Sequence, residues 1–209
     1  MRPHEIDLPR IAVHGATGRL GRLIVHELGE AYAGPVGREG WTPPCALVID
    51  VSSAQGTRSL LPRLQGQALL VGTTGDLPLD ALEAYAQGAP VAVVPNFSAG
   101  VPLLVEIVER LVPRLPAGWQ IEIVEAHHEA KKDAPSGTAR RLQRATGRED
   151  VPAHALRLGD TVGEHTVWLA GPGERLELKH VATRREVFAY GALRHARWLL
   201  TQPPGLYRP

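Results

Sequence analysis

The 209-residue sequence predicts an α/β fold in two parts, a parallel sheet followed by an α+β part with a mostly antiparallel or mixed sheet. Two observations predict this fold. In the first half, short and continuously apolar segments alternate with helical patterns, as in a parallel sheet that helices cover on both faces. In the second half, longer segments of alternating polarity are separated by Gly-Asp and Gly-Pro-Gly turns, which favours antiparallel strands.

The first half is predicted to contain four buried strands and three helices. The first strand, Ile11–His14, leads directly into a turn with three glycines. The other elements follow from apolar runs or from apolar residues at helical spacing. The strands are 46–50, 68–71 and 91–94, and the helices are 22–31, 55–64 and 79–87.

The second half opens with a predicted helix at 101–112, followed by an alternating strand at 119–126. A Ser-Gly-Thr turn then precedes a helix at 139–145. The remaining elements are three strands and a final helix, namely 154–158, 164–170, 175–182 and 187–201.

Composition and charge exclude several classes of protein. The chain has 23 basic and 22 acidic residues, a net charge of +1, so it lacks the basic field of a nucleic-acid or anionic-membrane binder. No uninterrupted apolar run approaches the length of a membrane span, and charges occupy the N-terminus where a signal peptide is apolar. Cys45 is the only cysteine, which excludes a disulfide framework and a cysteine metal cluster. We expect a cytoplasmic protein.

The glycine turn has the spacing Gly15-x-x-Gly18-x-x-Gly21 between the first strand and the first helix. Such glycines allow a tight turn and a close approach of a pyrophosphate to the backbone, where the helix N-terminus offers free N–H groups. The turn therefore indicates a Rossmann-like parallel sheet that binds a dinucleotide. A purely structural turn is the alternative.

Arg38 bears on the choice of dinucleotide. An acidic residue at the end of the second strand marks NAD binding, but Gly37 and Arg38 stand at that place. An arginine without a preceding acid suits a 2′-phosphate, so we predict that NADPH is preferred over NADH. Alternatively, Arg38 is a solvated loop residue.

Residues 122–139 carry the most informative pattern. His127 and His128 supply groups that titrate near neutrality, as a general acid requires, and Lys131 supplies a cation. The N–H groups of residues 136–138 open a helix and can hold a carboxylate. Together these groups indicate the reduction of an anionic substrate that needs a proton.

Other interpretations of this segment are open. The histidines alone are typical of an ordinary loop, and Ser136 and Thr138 alone are typical of helix caps. A metal site is disfavoured because the two histidines are adjacent and no H-E-x-x-H pattern is present. The lysine count favours a chemical role, since only 3 of the 23 basic residues are lysines and two of them lie here.

The sequence resembles the 4-hydroxy-tetrahydrodipicolinate reductase (dihydrodipicolinate reductase) family of bacterial lysine and diaminopimelate biosynthesis over nearly its whole length. The resemblance rests on the glycine turn, on the string Glu125-Ala126-His127-His128-x-x-Lys131-x-Asp133-Ala134-Pro135-Ser136-Gly137-Thr138-Ala139, and on four shorter motifs. These are Asp50-Val51-Ser52 with Gly56-Thr57, Val71-Gly72-Thr73-Thr74-Gly75, Pro95-Asn96-Phe97-Ser98-x-Gly100-Val101 and Gly159-Asp160-x-Val162-Gly163-Glu164-His165.

The resemblance implies an NAD(P)H-dependent reduction of 4-hydroxy-tetrahydrodipicolinate, a small dicarboxylate, by a homotetramer. It implies a dinucleotide-binding domain of residues 1–98 and 187–209 and a substrate-binding and oligomerisation domain of residues 99–186. His127 is then the proton donor, Lys131 is catalytic, and His128 and residues 136–138 contact substrate. The implied cofactor contacts are Gly15, Ala16, Thr17, Gly18, Arg19, Leu20, Arg38, Gly72, Thr73, Thr74, Val94, Pro95, Asn96 and Phe97; the implied substrate contacts at 136–138 are Ser136, Gly137 and Thr138.

The chain departs from the family pattern after Arg38, where the family has a longer connection and here only residues 41–45 precede the next strand. Gly37 replaces an acidic residue found in many members, which puts NADH use in doubt.

An extended short-chain dehydrogenase or atypical epimerase is a rival interpretation of the sequence. Those enzymes use a tyrosine with a lysine four residues later, and none of the four tyrosines here has such a lysine. A non-enzymatic NADPH-sensing module is a second rival, against which His127 and Lys131 argue.

Overall fold

A computed structural model of the chain describes residues 8–37 and 43–209. Arg38, the predicted adenosine-phosphate contact, lies outside the described residues. The contacts divide the chain into two compact units, residues 1–97 with 186–209 and residues 98–185. These ranges differ by one residue from those expected from the resemblance.

Ten strands and six helices are found in the described residues. The strands are β1 (Ile11–His14), β2 (Tyr32–Pro35), β3 (Leu47–Asp50), β4 (Ala68–Val71), β5 (Pro90–Val93), β6 (Gln120–His127), β7 (Ala153–Arg157), β8 (Gly163–Gly171), β9 (Glu174–Ala182) and β10 (Gly205–Tyr207). The helices are α1 (Arg19–Leu28), α2 (Ala54–Leu60), α3 (Leu79–Ala86), α4 (Gly100–Leu111), α5 (Gly137–Ala145) and α6 (Glu186–Leu199). None of the helices within these ranges is long and apolar enough to span a membrane.

The first unit is built on a six-stranded, fully parallel sheet in the order β10-β5-β4-β3-β1-β2. Strands β3 and β4 are buried along their whole length because helices cover both faces of the sheet. One core cluster joins the sheet to α1 and α6, and a second joins it to α2 and α3. The predicted parallel α/β architecture is confirmed.

The second unit is built on a four-stranded mixed sheet in the order β7-β6-β8-β9. β6 pairs parallel with β7 and antiparallel with β8, which pairs antiparallel with β9. Helices α4 and α5 pack on one face of this sheet, against Ile121, Ile123, Val167 and Leu169. Because side chains alternate along a strand, Glu125 and His127 lie on the same face of β6 as Ile121 and Ile123.

Two edge strands of the first unit were not among the predicted strands. β2 is four residues long, contains Gly34 and Pro35, and pairs only with β1. β10 is three residues long and follows two prolines. Neither has the continuous apolar run of a buried strand, because an edge strand is covered less than a central one.

Candidate active site

Three groups of the second unit make four hydrogen bonds to Glu125, a fully buried carboxylate in β6. Arg157 of β7 donates from Nη2 to Oε1 at 2.9 Å and from Nη1 to Oε2 at 3.1 Å. The backbone N–H of Ser136 donates to Oε1 at 3.1 Å. His127 donates from Nδ1 to Oε2 in a short contact. The carboxylate is therefore bound at both oxygens by groups that keep it ionised.

His127 lies at the end of β6, where its other ring nitrogen, Nε2, faces away from Glu125. A Cβ atom built on Gly163 of β8 would lie 3.2 Å from His127 Nε2, closer than an ordinary contact, so the glycine allows the imidazole to pack against β8. The His165 ring, also on β8, meets the His127 ring edge-on, with centroids 5.1 Å apart.

The protonation of this cluster follows from burial and from the neighbouring charges. Burial would raise the pKa of Glu125, but the hydrogen bonds from Arg157 and His127 outweigh it and lower that pKa. Burial lowers the pKa of His127; Glu125 opposes this shift without reversing it, and Lys131 and Arg157 add to it. Burial lowers the pKa of His165 to about 3, so this residue is neutral. Because an ionised Glu125 only accepts hydrogen bonds, the His127 Nδ1 atom carries a proton.

Lys131 and the start of α5 lie in the loop that follows β6. Lys131 Nζ binds the Asp133 carboxylate at 2.7 Å, and the backbone N–H of Gly137 also lowers the pKa of Asp133. Lys131 and the α5 N-terminus thus both act on the carboxylate of Asp133.

Ser136, the first residue of the turn, is bound within the protein through both its N–H and its hydroxyl. Its N–H donates to Glu125, and its Oγ accepts from the N–H of Ala139 at 3.1 Å and bonds His165 Nε2 at 3.3 Å. Ser136 is buried, whereas Gly137 is exposed. His128 is half-buried and directly follows β6. Ser136 therefore fixes the turn, and the exposed part of the turn begins at Gly137.

The predicted dinucleotide turn lies in the first unit, at the carboxyl end of β1. Gly15 has φ +85°, a conformation that favours glycine, and a Cβ on Gly21 would lie 2.1 Å from the Gly15 carbonyl oxygen. The N-cap residue of α1, Gly18, has no side chain that could cap the helix, and the first turn of α1 contains no acidic residue. The turn therefore leaves N–H groups and the positive end of the helix dipole available to a phosphate.

The other predicted cofactor contacts lie at the carboxyl ends of the neighbouring strands. Gly72 and Thr73 follow β4, and a Cβ on Gly72 would meet the Phe97 ring at 2.4 Å. Asp50, at the end of β3, is fully buried and accepts hydrogen bonds from Thr57 and Ser52, both at 2.6 Å, and from His14 at 3.1 Å. Residues 15–20, 72–74 and 94–97 therefore lie at one edge of a parallel sheet, where dinucleotides bind in this architecture.

Comparisons with known proteins agree with this geometry. Residues 100–208 match the family model described as "Dihydrodipicolinate reductase, C-terminus". The chain is 40% identical over 227 residues to the 4-hydroxy-tetrahydrodipicolinate reductase of Xanthomonas euvesicatoria pv. vesicatoria (strain 85-10), with 95% of each chain covered. It is 41% identical over 228 residues to that of Stenotrophomonas maltophilia (strain R551-3), again with 95% of each covered. The chain belongs to the 4-hydroxy-tetrahydrodipicolinate reductase family.

The fold is also that of a solved reductase of this family. A dipicolinate-bound dihydrodipicolinate reductase from Paenisporosarcina sp. TG-14 superposes with a TM-score of 0.71 over 97% of this chain and 98% of that one, at 20% identity. The two-part fold class predicted from the sequence is therefore confirmed.

Sequence reasoning missed three polar residues of the candidate site: Glu125, Arg157 and His165. Glu125 and His165 appear in the quoted motifs, but the sequence analysis assigns a role to neither. Strand alternation carries a signal for these two, because each is in phase with buried neighbours on its strand, whereas Arg157 is in phase only with half-buried ones. Within the described ranges, no group of three or more His, Cys, Asp or Glu residues is placed to hold a metal ion.

Proposed function

We propose that this chain reduces 4-hydroxy-tetrahydrodipicolinate with a proton from His127, while Lys131 and the α5 N-terminus hold a substrate carboxylate. The activity follows from family membership: the chain is an NAD(P)H-dependent oxidoreductase of lysine and diaminopimelate biosynthesis. The observation that supports the proton donor is the orientation of His127, whose Nδ1 is bound by Glu125, so that Nε2 is the ring nitrogen left to transfer a proton.

The bound nicotinamide supplies the hydride, and the protein supplies binding and the proton. A dianionic substrate beside His127 stabilises the imidazolium, which offsets the lowering of the His127 pKa by burial. The acid is thus charged when the substrate is bound. Transfer of the Nε2 proton from the imidazolium to the substrate then neutralises the electron-rich ring atom that hydride addition creates and leaves His127 neutral.

The substrate carboxylate is assigned to Lys131, His128, Gly137 and Thr138, with Ser136 holding the turn in place. The Lys131–Asp133 contact supports this assignment, because a substrate carboxylate at Lys131 Nζ would make the same interaction as Asp133. Cofactor binding is assigned to residues 15–20, 72–74 and 94–97.

The test of the proton donor is His127→Ala. A positioned general acid contributes roughly 10²–10⁴-fold, so we expect kcat to fall by about that factor while the fold is retained. His26→Ala, at an exposed position of α1, is the matched control and should keep wild-type turnover. Wild-type kcat in His127→Ala would disprove the assignment.

We further propose that the enzyme prefers NADPH, on the basis of Arg38 and of Gly37 in place of an acid. A charge-assisted contact of Arg38 with the 2′-phosphate contributes about 1.5–3 kcal/mol. The preference is tested by kcat/KM for NADPH and NADH in wild type and in Arg38→Ala. A clearly higher value for NADH in the wild type would refute it.

The uncovered face of the four-stranded sheet supports a homotetramer. Leu156, Trp168 and Val181 are 45%, 38% and 42% exposed, and the strand register places them on one face, opposite the face that packs on α4 and α5. Large apolar residues from three of the four strands favour burial in an oligomer. Light scattering should give a tetramer for the wild type and smaller species for Trp168→Glu; a monomeric wild type would refute the proposal.

A further inference from the structure

We infer that Glu125 is the positioning residue of His127, which holds the imidazole with Nδ1 protonated and leaves Nε2 as the nitrogen that transfers the proton. This inference rests on the proposed role of His127 as the proton donor. It assigns a function to a buried carboxylate that does not itself reach the substrate, because both of its oxygens are occupied by protein donors.

The geometry of β6 places the two side chains together. Glu125 and His127 are two residues apart, so they lie on the same face of the strand. Glu125 Oε2 accepts from His127 Nδ1. An imidazole bound in this way can neither flip nor exchange its tautomer without breaking a hydrogen bond to a carboxylate, and such charge-assisted bonds are the stronger ones.

Glu125 is itself held in place from two sides. Arg157 forms a two-point contact with the carboxylate at 2.9 and 3.1 Å, and the Ser136 N–H adds a third bond at 3.1 Å. Arg157 is fixed in turn by the backbone carbonyls of Leu156 at 2.6 Å and Lys131 at 3.2 Å. The orientation of His127 is therefore determined by β7 and by the start of α5 as well as by β6.

Glu125 also stabilises the protonated form of His127, because the other charged groups nearby are cations. The groups that face His127 are Glu125 from its own strand, Lys131 from the following loop, Arg157 from β7 and neutral His165 from β8. Of these four groups only Glu125 is negative. Without it, two cations and burial would all act against the protonated form of His127.

Glu125→Gln tests both effects. We expect kcat to fall by about 10- to 100-fold, the loss that is typical when the partner that orients a metal-binding histidine is removed. We also expect the decline of kcat/KM with rising pH to move to lower pH, because the protonated imidazole is no longer stabilised by a carboxylate. Glu125→Asp, which keeps the charge, should move the pH profile less than Glu125→Gln does.

Glu106→Gln is the matched control, since Glu106 also pairs with an arginine, at 2.7 Å from Arg110, but on the exposed surface of α4. This variant should leave both kcat and the pH profile at wild-type values. If Glu125→Gln fails to fold, Glu125→Asp alone decides: a reduced kcat with a small shift of the pH profile to lower pH supports positioning, whereas a wild-type kcat, or a reduced kcat with an unmoved profile, overturns it.

The outcomes separate this inference from the proposed function. A loss of activity in Glu125→Gln without any movement of the pH profile would indicate a merely structural carboxylate and overturn the inference. Wild-type kcat in Glu125→Gln would also overturn it, even where His127→Ala has lost its activity. Full activity of His127→Ala would instead overturn the proposed function.

Discussion

Gly21→Ala is the sharpest test of the dinucleotide turn, because the structure fixes the size of the perturbation. A Cβ on Gly21 would lie 2.1 Å from the Gly15 carbonyl oxygen and 2.9 Å from both the Gly15 carbonyl carbon and the Ala16 Cα. All three atoms belong to the backbone, so no side chain can rotate away. Relieving the contact to an ordinary distance of roughly 3.4 Å requires helix α1 and the turn to separate by about 1.3 Å.

Overpacking of this kind costs typically about 1–3 kcal/mol. The displaced atoms are those proposed to cradle the pyrophosphate, so we expect much of this cost to weaken cofactor binding. At 1.4 kcal/mol for each factor of ten, the KM for NADPH should rise by about 5- to 150-fold. The KM for the dicarboxylate at saturating NADPH should change little, because its proposed contacts lie in the second unit.

The assay is the oxidation of NADPH followed by absorbance, with each substrate varied in turn, together with the urea unfolding midpoint. Gly88→Ala is the matched control, since an added Cβ there meets nothing within 4 Å and Gly88 does not have a positive φ. An unchanged KM for NADPH in a folded Gly21→Ala variant would refute the proposed use of the turn.

Three further predictions concern other parts of the molecule. Lys131→Ala should raise the KM for substrate and lower kcat. For a lost contact of about 1.5–3 kcal/mol, kcat/KM should fall about 10- to 150-fold. Lys132 is the exposed neighbour of Lys131, and Lys132→Ala should behave as wild type in the same assay. His165 has a pKa of about 3 in the folded protein, whereas its ordinary pKa is 6.5. Between these two values the unfolded chain binds a proton that the folded chain does not. The free energy of unfolding should therefore fall as the pH drops below 6.5. That loss is about 1.4 kcal/mol per pH unit, and urea unfolding at pH 7 and pH 5 should show a smaller difference for His165→Gln than for wild type; equal differences would contradict the assignment. Gly191→Ala should destabilise the first unit by about 1–3 kcal/mol or more, because the added Cβ would lie 1.8 Å from the Phe97 carbonyl oxygen, and an unfolding midpoint equal to that of Gly88→Ala would contradict this packing.

The central strands could be predicted from the sequence because their environment is uniform. β1, β3, β4 and β5 are apolar runs buried inside a parallel sheet, and they appear within one residue of the predicted bounds. Helix α1 begins three residues before its predicted start, at Arg19, because the glycine turn itself supplies the first helical residues. Edge strands β2 and β10 depend on pairing with β1 and β5, and that pairing leaves little trace in local hydrophobicity.

The candidate site likewise contains residues that local sequence predicts and residues that only distant contacts bring together. His127, Lys131 and the turn at 136–138 lie within twelve residues, so their types and spacing were enough to predict an acid, a cation and an anion-binding turn. Arg157 is 32 residues from Glu125 in the chain, and His165 is 29 residues from Ser136. No local pattern joins such pairs.

Residue types and local spacing are enough to predict the fold class, the glycine turn and the chemical groups gathered around His127. The charge and orientation of those groups depend on contacts that form only when the chain folds. The pairing of β6 with β7 and β8 brings Arg157 and His165 to Glu125 and His127 and buries the cluster. Burial and charge proximity arise from contacts between distant parts of the chain, so the protonation state of the acid is a property of the folded sheet.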